Sequence, residues 1–299
     1  MVFDCPTKLD FINRLTKPYF LNNTHMKKIT SSVLIACLAS VSLFSCKKEA
    51  RQADGSISTE TLNQIQRLGF STDNVQRTSG GYLVEGDIVL RDDQLAAAPN
   101  SPNLVIAQEE QYRTFNLVSA SKHPTIKIAL NNSSSQHQAA FSAALDEMIR
   151  RYNAEGLTIN FQRVTTGADI TIVAYYEVSN TLGFSGFPTS TGDPYNQVQM
   201  NTYWYSTGTT STNTNYIATI IAHEVGHCIG FRHTDYFNRA LSCGGRKSNE
   251  GQATNGVGAV QIPGTPSGAD ANSFMLACIG SNVNRPFNAN DKIALAYLY

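Results

Sequence analysis

Three of the chain's six histidines and one glutamate fall within eleven consecutive positions, His223-Glu224-Val225-Gly226-His227-Cys228-Ile229-Gly230-Phe231-Arg232-His233, an HExxHxxGxxH pattern. On a helix, residues four apart share a face, so His223 and His227 aim their imidazoles at one metal ion. Glu224 lies about a quarter-turn round that helix, beside the metal rather than on it, where a carboxylate can take a proton from water. Gly230 permits a left-handed exit from the helix, and the turn brings His233 back as a third ligand. Three protein ligands leave one tetrahedral position open, the arrangement of a catalytic zinc rather than a structural one. The chemistry expected is hydrolysis: zinc brings the pKa of a water there to about 7 and polarises a carbonyl, while Glu224 acts as general base. The bland alternative is an ordinary helix with two exposed histidines. The correctly spaced third histidine and the apolar flanks Ile217, Ile220, Ile221 and Ile229 weigh against it.

These residues need a helix and a sheet to hold them. Residues 213–230 read as the metal-binding helix. Upstream, residues 125–130 alternate Ile126, Ile128 and Leu130 on one face, a first strand. Residues 136–154 form an amphipathic helix with Phe141, Leu145, Met148, Ile149 and Tyr152 on its apolar face, stopped at Gly156. Strands follow at 157–164 and 169–178, the latter apolar enough throughout to be central. A Gly/Pro/Ser/Thr-rich excursion over 180–195 leads into residues 197–202, expected to be the edge strand. Beyond His233 the chain is loop-rich until Asn288, which caps a final helix. Before residue 118 lie a short helix over 58–69, a strand pair or a bent strand over 82–90 around a Gly-Asp turn, and a linker over 96–103.

The pattern is α+β: a twisted, mostly parallel five-stranded sheet with an edge strand, a backing helix, an active-site helix and a small irregular C-terminal subdomain. The expected division is an N-terminal, prosegment-like region over 46–117 and a catalytic domain over 118–299.

The first residues read as an address. Residues 1–25 precede the preferred initiator, Met26. Residues 26–45 form a signal peptide, with Lys27 and Lys28 ahead of a short apolar run. Leu43-Phe44-Ser45-Cys46 resembles the lipobox of bacterial lipoproteins, which implies a lipidated Cys46. Acyl chains there would hold an exported protein on a membrane surface of the cell envelope, the outer membrane being the expected place. Lys plus Arg equals Asp plus Glu at 23 each, and no basic block appears, which excludes a nucleic-acid partner. Setting aside Cys5, Cys37 and Cys46, an oxidising compartment allows one disulfide among Cys228, Cys243 and Cys278. Cys228 lies on the apolar stripe of the metal-binding helix as a small buried hydrophobe, and a Cys243–Cys278 bridge is the expected pairing.

Ser273-Phe274-Met275, about forty residues past His233, resembles the Met-turn of the metzincin clan of zinc endopeptidases. That resemblance implies a metzincin-like zincin fold, with Met275 as a hydrophobic floor beneath the imidazoles. More narrowly, residues 222–235 (AHEVGHCIGFRHTD) resemble the dual-action HEIGH metallopeptidase family of bacterial exported proteins, with Val225 where the family name has Ile. The implied activity is zinc-dependent cleavage of a protein or peptide substrate, lying along the edge strand. The chain departs from some metzincins at Ala277, where those place a zinc-proximal tyrosine. Asp235 either caps the turn after His233 or orients a ligand histidine. Val84-Glu85-Gly86-Asp87 resembles the FxGD switch of astacin prosegments, which implies that Asp87 closes the open zinc position; otherwise it is a Gly-Asp turn in a small N-terminal domain. The rival from another class is a non-catalytic, zinc-stabilised surface lipoprotein, an adhesin or peptide-binding module.

Overall fold

Alternation at residues 125–130 produces a strand because the buried Ile126 and Ile128 face the core while Lys127 faces solvent. In the computed structural model, which describes residues 56–98, 111–131, 135–244, 256–266 and 270–299, this strand anchors a single large sheet. The N-terminal elements are α1 (Thr59–Arg67), β1 (Gln76–Thr78), β2 (Gly81–Val84), β3 (Ile88–Leu90) and α2 (Asp92–Ala96). Then come β4 (Tyr112–Arg113), β5 (Thr125–Asn131), α3 (Gln138–Asn153), β6 (Asn160–Arg163), β7 (Ile170–Tyr175), β8 (Gly183–Gly186) and β9 (Gln197–Asn201). The remainder is α4 (Ser211–Ile229), β10 (Phe231–Arg232), α5 (Ala240–Cys243), β11 (Val260–Gln261) and α6 (Ala289–Leu298).

Strands β6, β5, β7 and β9 run parallel in that spatial order, and β8 closes the group antiparallel to β9. Residues 197–202 were expected at the edge, but β9 is internal, between β7 and β8. The edge of this group is β8, within the Gly-rich excursion. A side chain at Gly183 would press on the Gln199 carbonyl, 2.9 Å from a Cβ, and one at Gly186 on the Tyr195 ring at 2.8 Å. Close approach of β8 therefore demands glycine, and glycine removes the alternation by which a strand is read.

The edge is not bare. β1, β2 and β3 form an antiparallel meander, and β3 lies parallel on β8, pairing Ile88 with Ser185 and Val89 with Gly186. The sheet thereby grows to eight strands, in the order β1-β2-β3-β8-β9-β7-β5-β6. Ile65, Leu68, Val84, Ile88 and Leu90 of the N-terminal elements share a core with Phe187 just past β8.

Helices α3 and α4 cover the sheet. The α3 residue Tyr152 donates its hydroxyl to the Ala222 carbonyl (2.8 Å), and the buried Arg151 donates to Thr219 Oγ1 (3.1 Å) and Asn215 Oδ1 (3.1 Å), so the backing helix fixes the rotation of α4. Thr210 caps the N-terminus of α4. Gly230 ends it at φ 115°, and its N–H reaches back to the Gly226 and His227 carbonyls. Directly after this turn, β10 pairs with β4, whose other side takes β11. Although β4 precedes residue 118, it is knitted to the segment that carries His233.

Candidate metal centre

Helix α4 and the Gly230 turn put three imidazoles on one point. His227 Nε2 lies 3.1 Å from His223 Nε2 and 3.2 Å from His233 Nε2. The tautomers of two rings are set by backbone: His223 Nδ1 donates to the Phe274 carbonyl and His227 Nδ1 to the Phe231 carbonyl, both at 2.8 Å. With Nδ1 protonated, each neutral ring turns an Nε2 lone pair toward the other. Burial lowers the pKa of His223 to about 4 and that of His227 well below its ordinary value, helped by the charges of neighbouring imidazoles. Both rings are therefore neutral at physiological pH.

Two neutral acceptors facing each other at 3.1 Å repel unless a cation lies between them. Ligands about 2.0–2.1 Å from a tetrahedral zinc stand roughly 3.3 Å apart, close to the spacing of the imidazole pairs. One oxygen more completes the donor set. Asp87 Oδ2 is 3.0 Å from His233 Nε2 and 3.9 Å from His223 Nε2, and its Oδ1 is buried with no hydrogen-bond partner. The four residues offer donor atoms all within 4.8 Å of one another. Three nitrogens and one oxygen suit zinc.

Asp87 comes from the N-terminal meander that extends the sheet beyond β8. Glu85 (φ 58°) and Gly86 (φ 92°) make the tight turn between β2 and β3, which leaves Asp87 at the start of β3. The Asp87 carbonyl accepts the Ser185 N–H at 2.9 Å, so the pairing of β3 with β8 is what delivers the carboxylate.

Glu224 is buried beside this cluster. Ser185 Oγ donates to Glu224 Oε2 at 2.8 Å and to the Glu224 carbonyl at 2.9 Å. Desolvation holds the Glu224 pKa well above the usual carboxylate range; the negative charge of Asp87 raises it further, and the Ser185 hydrogen bond opposes both. The sequence reading missed Ser185, which no spacing marks: it lies in a Gly-rich stretch and reaches Glu224 only because β8 runs alongside α4.

Met275 is fully buried, and Gly226 gives it room: a Cβ there would lie 2.6 Å from Met275 Sδ. Ser273 Oγ accepts the Met275 N–H at 3.1 Å and donates to Asp291 Oδ1 at 2.8 Å. Asp291 also accepts Gln111 Nε2 at 2.7 Å and the Phe274 N–H at 3.2 Å. Burial raises the Asp291 pKa to about 6. Because Phe274 holds His223 through its carbonyl, this hub steadies the His223 ring from α6. Neither Gln111 nor Asp291 could be found from the sequence, since their partners lie far away along the chain.

The Asp235 oxygens accept the Ala277 N–H (3.0 Å) and Ser242 Oγ (2.6 Å), which ties the turn after His233 to the segment after Met275. Cys243 and Cys278 are joined by a disulfide across the same two segments. Cys228 is a buried free thiol whose pKa burial pushes up. Cys46 and residues 26–45 lie outside the described residues.

A cleft of about 460 Å³ opens from His223 and Glu224 between β8, α4 and residues 276–281. The family model for the dual-action HEIGH metallopeptidases matches residues 83–299, a span that begins within β2 and so includes Asp87. No protein of curated function matches the sequence. Among solved structures, myroilysin is similar at 16% identity and a TM-score of 0.39, over 62% of this chain and 95% of that one. High choriolytic enzyme 1, a hatching-enzyme zinc protease from the medaka fish Oryzias latipes, is similar at 19% identity and a TM-score of 0.26, over 40% of this chain and 50% of that one.

Proposed function

Since the chain belongs to the dual-action HEIGH metallopeptidase family, we propose that it is a zinc endopeptidase of metzincin type in which His223, His227 and His233 hold the metal and Glu224 is the general base. The observation that carries this reading is the convergence of three buried Nε2 atoms beside a buried carboxylate held by Ser185. Zinc, when bound, supplies Lewis acidity toward a water and a peptide carbonyl. Glu224 takes the proton of the attacking water and delivers it to the leaving amine. Ser185 keeps the receiving oxygen in place and offsets part of the desolvation that would leave it protonated. Met275 and the Asp291 hub hold the floor, so the imidazoles stay fixed through turnover.

The chain as described is latent on this reading. The Asp87 carboxylate fills the fourth donor position and β3 lies on the edge strand β8 where a substrate would run. Activation on this reading takes a cut after β3 and before β4, which is paired with β10, followed by departure of β3. Export and anchoring through Cys46 rest on the signal-like residues 26–45 and the lipobox. A cut in that stretch would also release the enzyme from its anchor.

Cleavage of casein or gelatin, with and without a chelator, by the activated wild type and by Glu224→Gln tests the central reading. Chelator-sensitive hydrolysis that drops at least a hundredfold in Glu224→Gln is expected. Equal chelator-sensitive rates for the two proteins would remove Glu224 as the base, and no hydrolysis by either would leave only the zinc-stabilised binding module.

A further inference from the structure

The cleft that opens from Glu224 has an unusual charge balance. Its walls are apolar, with Leu182, Ile220, Leu276 and Ile279 facing the space, yet two guanidinium groups, Arg239 and Arg285, also line it. Three carboxylates do so as well: Glu85, Asp87 and Glu224. Two of these belong to the β2–β3 turn, and the third is the proposed base. Once that turn leaves, two cations line a cleft whose one remaining anion is engaged by Ser185.

Arg285 is the better placed of the two. Thr219 Oγ1 accepts its backbone N–H at 3.0 Å, and its Nη1 donates to the Cys278 carbonyl at 3.2 Å. Among the described residues it makes no ion pair. The acids whose fields reach it are engaged elsewhere: Asp235 with Ala277 and Ser242, Asp291 with Gln111 and Ser273, Asp270 with Asn288 and Asn290. Desolvation lowers the Arg285 pKa from its ordinary value. A partly desolvated guanidinium facing a cleft without a carboxylate partner is costly for the empty protein, and a ligand carboxylate relieves that cost through the planar fork. The protein already shows such an occupant at the other cation: Glu85 is buried in the same cleft, its Oε2 3.7 Å from Arg239 Nη1.

We propose that this cleft selects substrates with an aspartate or glutamate next to the scissile bond, and that Arg285 binds that carboxylate. The proposal rests on the endopeptidase reading for its catalytic consequence, though not for its binding consequence. The test uses peptides identical except for Asp, Glu, Asn, Gln, Leu or Lys on either side of the cleaved bond. Hydrolysis is measured with the chain after its activating cut and with the uncut Asp87→Ala variant, and binding of the same peptides is measured by fluorescence anisotropy on the activated Glu224→Gln chain.

Charge-assisted hydrogen bonds predict kcat/KM about 10- to 100-fold higher for Asp or Glu than for Asn or Gln, with the same order in binding. Arg285→Glu should invert the preference toward Lys, and Arg285→Lys should keep part of it. Equal handling of Asp and Asn by a chain that still cleaves casein overturns the specificity and leaves the peptidase intact. Acid-selective binding without any hydrolysis supports the specificity and overturns the peptidase. Acid preference surviving in Arg285→Glu removes Arg285 from the role.

Discussion

Replacing Asp87 by alanine in the uncut chain should wake the enzyme. The carboxylate is buried and its Oδ2 stands 3.0 Å from His233 Nε2, so its removal deletes one charged contact that exists only while β3 is seated. Such contacts contribute about 1.5–3 kcal/mol, which corresponds to a change of roughly 10- to 150-fold in the fraction of molecules with an open site. The low end is expected here, because the Asp87 charge also opposes ionisation of Glu224, and its loss relieves that repulsion in the seated state too. The rest of the lock stays: β3 still pairs with β8, and Val84, Ile88 and Leu90 remain in their shared core with Phe187. Uncut Asp87→Ala should therefore hydrolyse a quenched fluorescent peptide about tenfold faster than the uncut wild type, yet more slowly than either protein after cleavage between β3 and β4. Gels run beside the rate measurements must show the chain intact. If the uncut variant is no faster than the wild type while the cut wild type is active, Asp87 does not hold the site closed, and the strand alone is the lock.

Three further outcomes follow from the same geometry. Ser185→Ala removes the hydrogen bond that lowers the Glu224 pKa, so the acid limb of the kcat/KM–pH profile should move to higher pH; an unmoved limb would detach Ser185 from the base. Gly226→Ala drives a methyl to within 2.6 Å of Met275 Sδ, and overpacking of this kind should cost about 1–3 kcal/mol in urea unfolding, with a loss of peptidase activity that Ala218→Ser, elsewhere on α4, does not share. Reduction of Cys243–Cys278, which closes a loop with a sequence separation of 35, should lower stability by about 4 kcal/mol, read as a fall in Tm in reductant that Cys243→Ser/Cys278→Ser reproduces without it.

What could be read from the sequence was whatever depends on local spacing. Four-residue spacing puts His223 and His227 on one face because a helix has a fixed period, and Gly230 ends α4 because φ 115° suits glycine. The strand at 125–130, which the structure extends to Asn131, and the cap at Asn288 were visible for similar reasons. What escaped depends on partners far along the chain. β8 has no periodicity, since its glycines are there to admit neighbours and its pairing comes from β9 and β3. Gln111 meets Asp291 across a sequence separation of 180. The function of Ser185 is likewise a matter of which strand lies beside α4.

The seating of β3 on β8 also bears on how the protein survives its own synthesis and activation. A strand with one unpaired side is a template for any extended chain, and in this protein residues 81–90 are made before residues 183–186, so β8 can find its neighbour as soon as it forms. The proposed activation would remove that neighbour. An activated chain would then carry a raw strand edge, and the opening that admits a peptide would also invite a second copy to stack. Concentrated activated enzyme should thus self-associate where the uncut chain stays dispersed, and a tightly bound peptide should keep it apart.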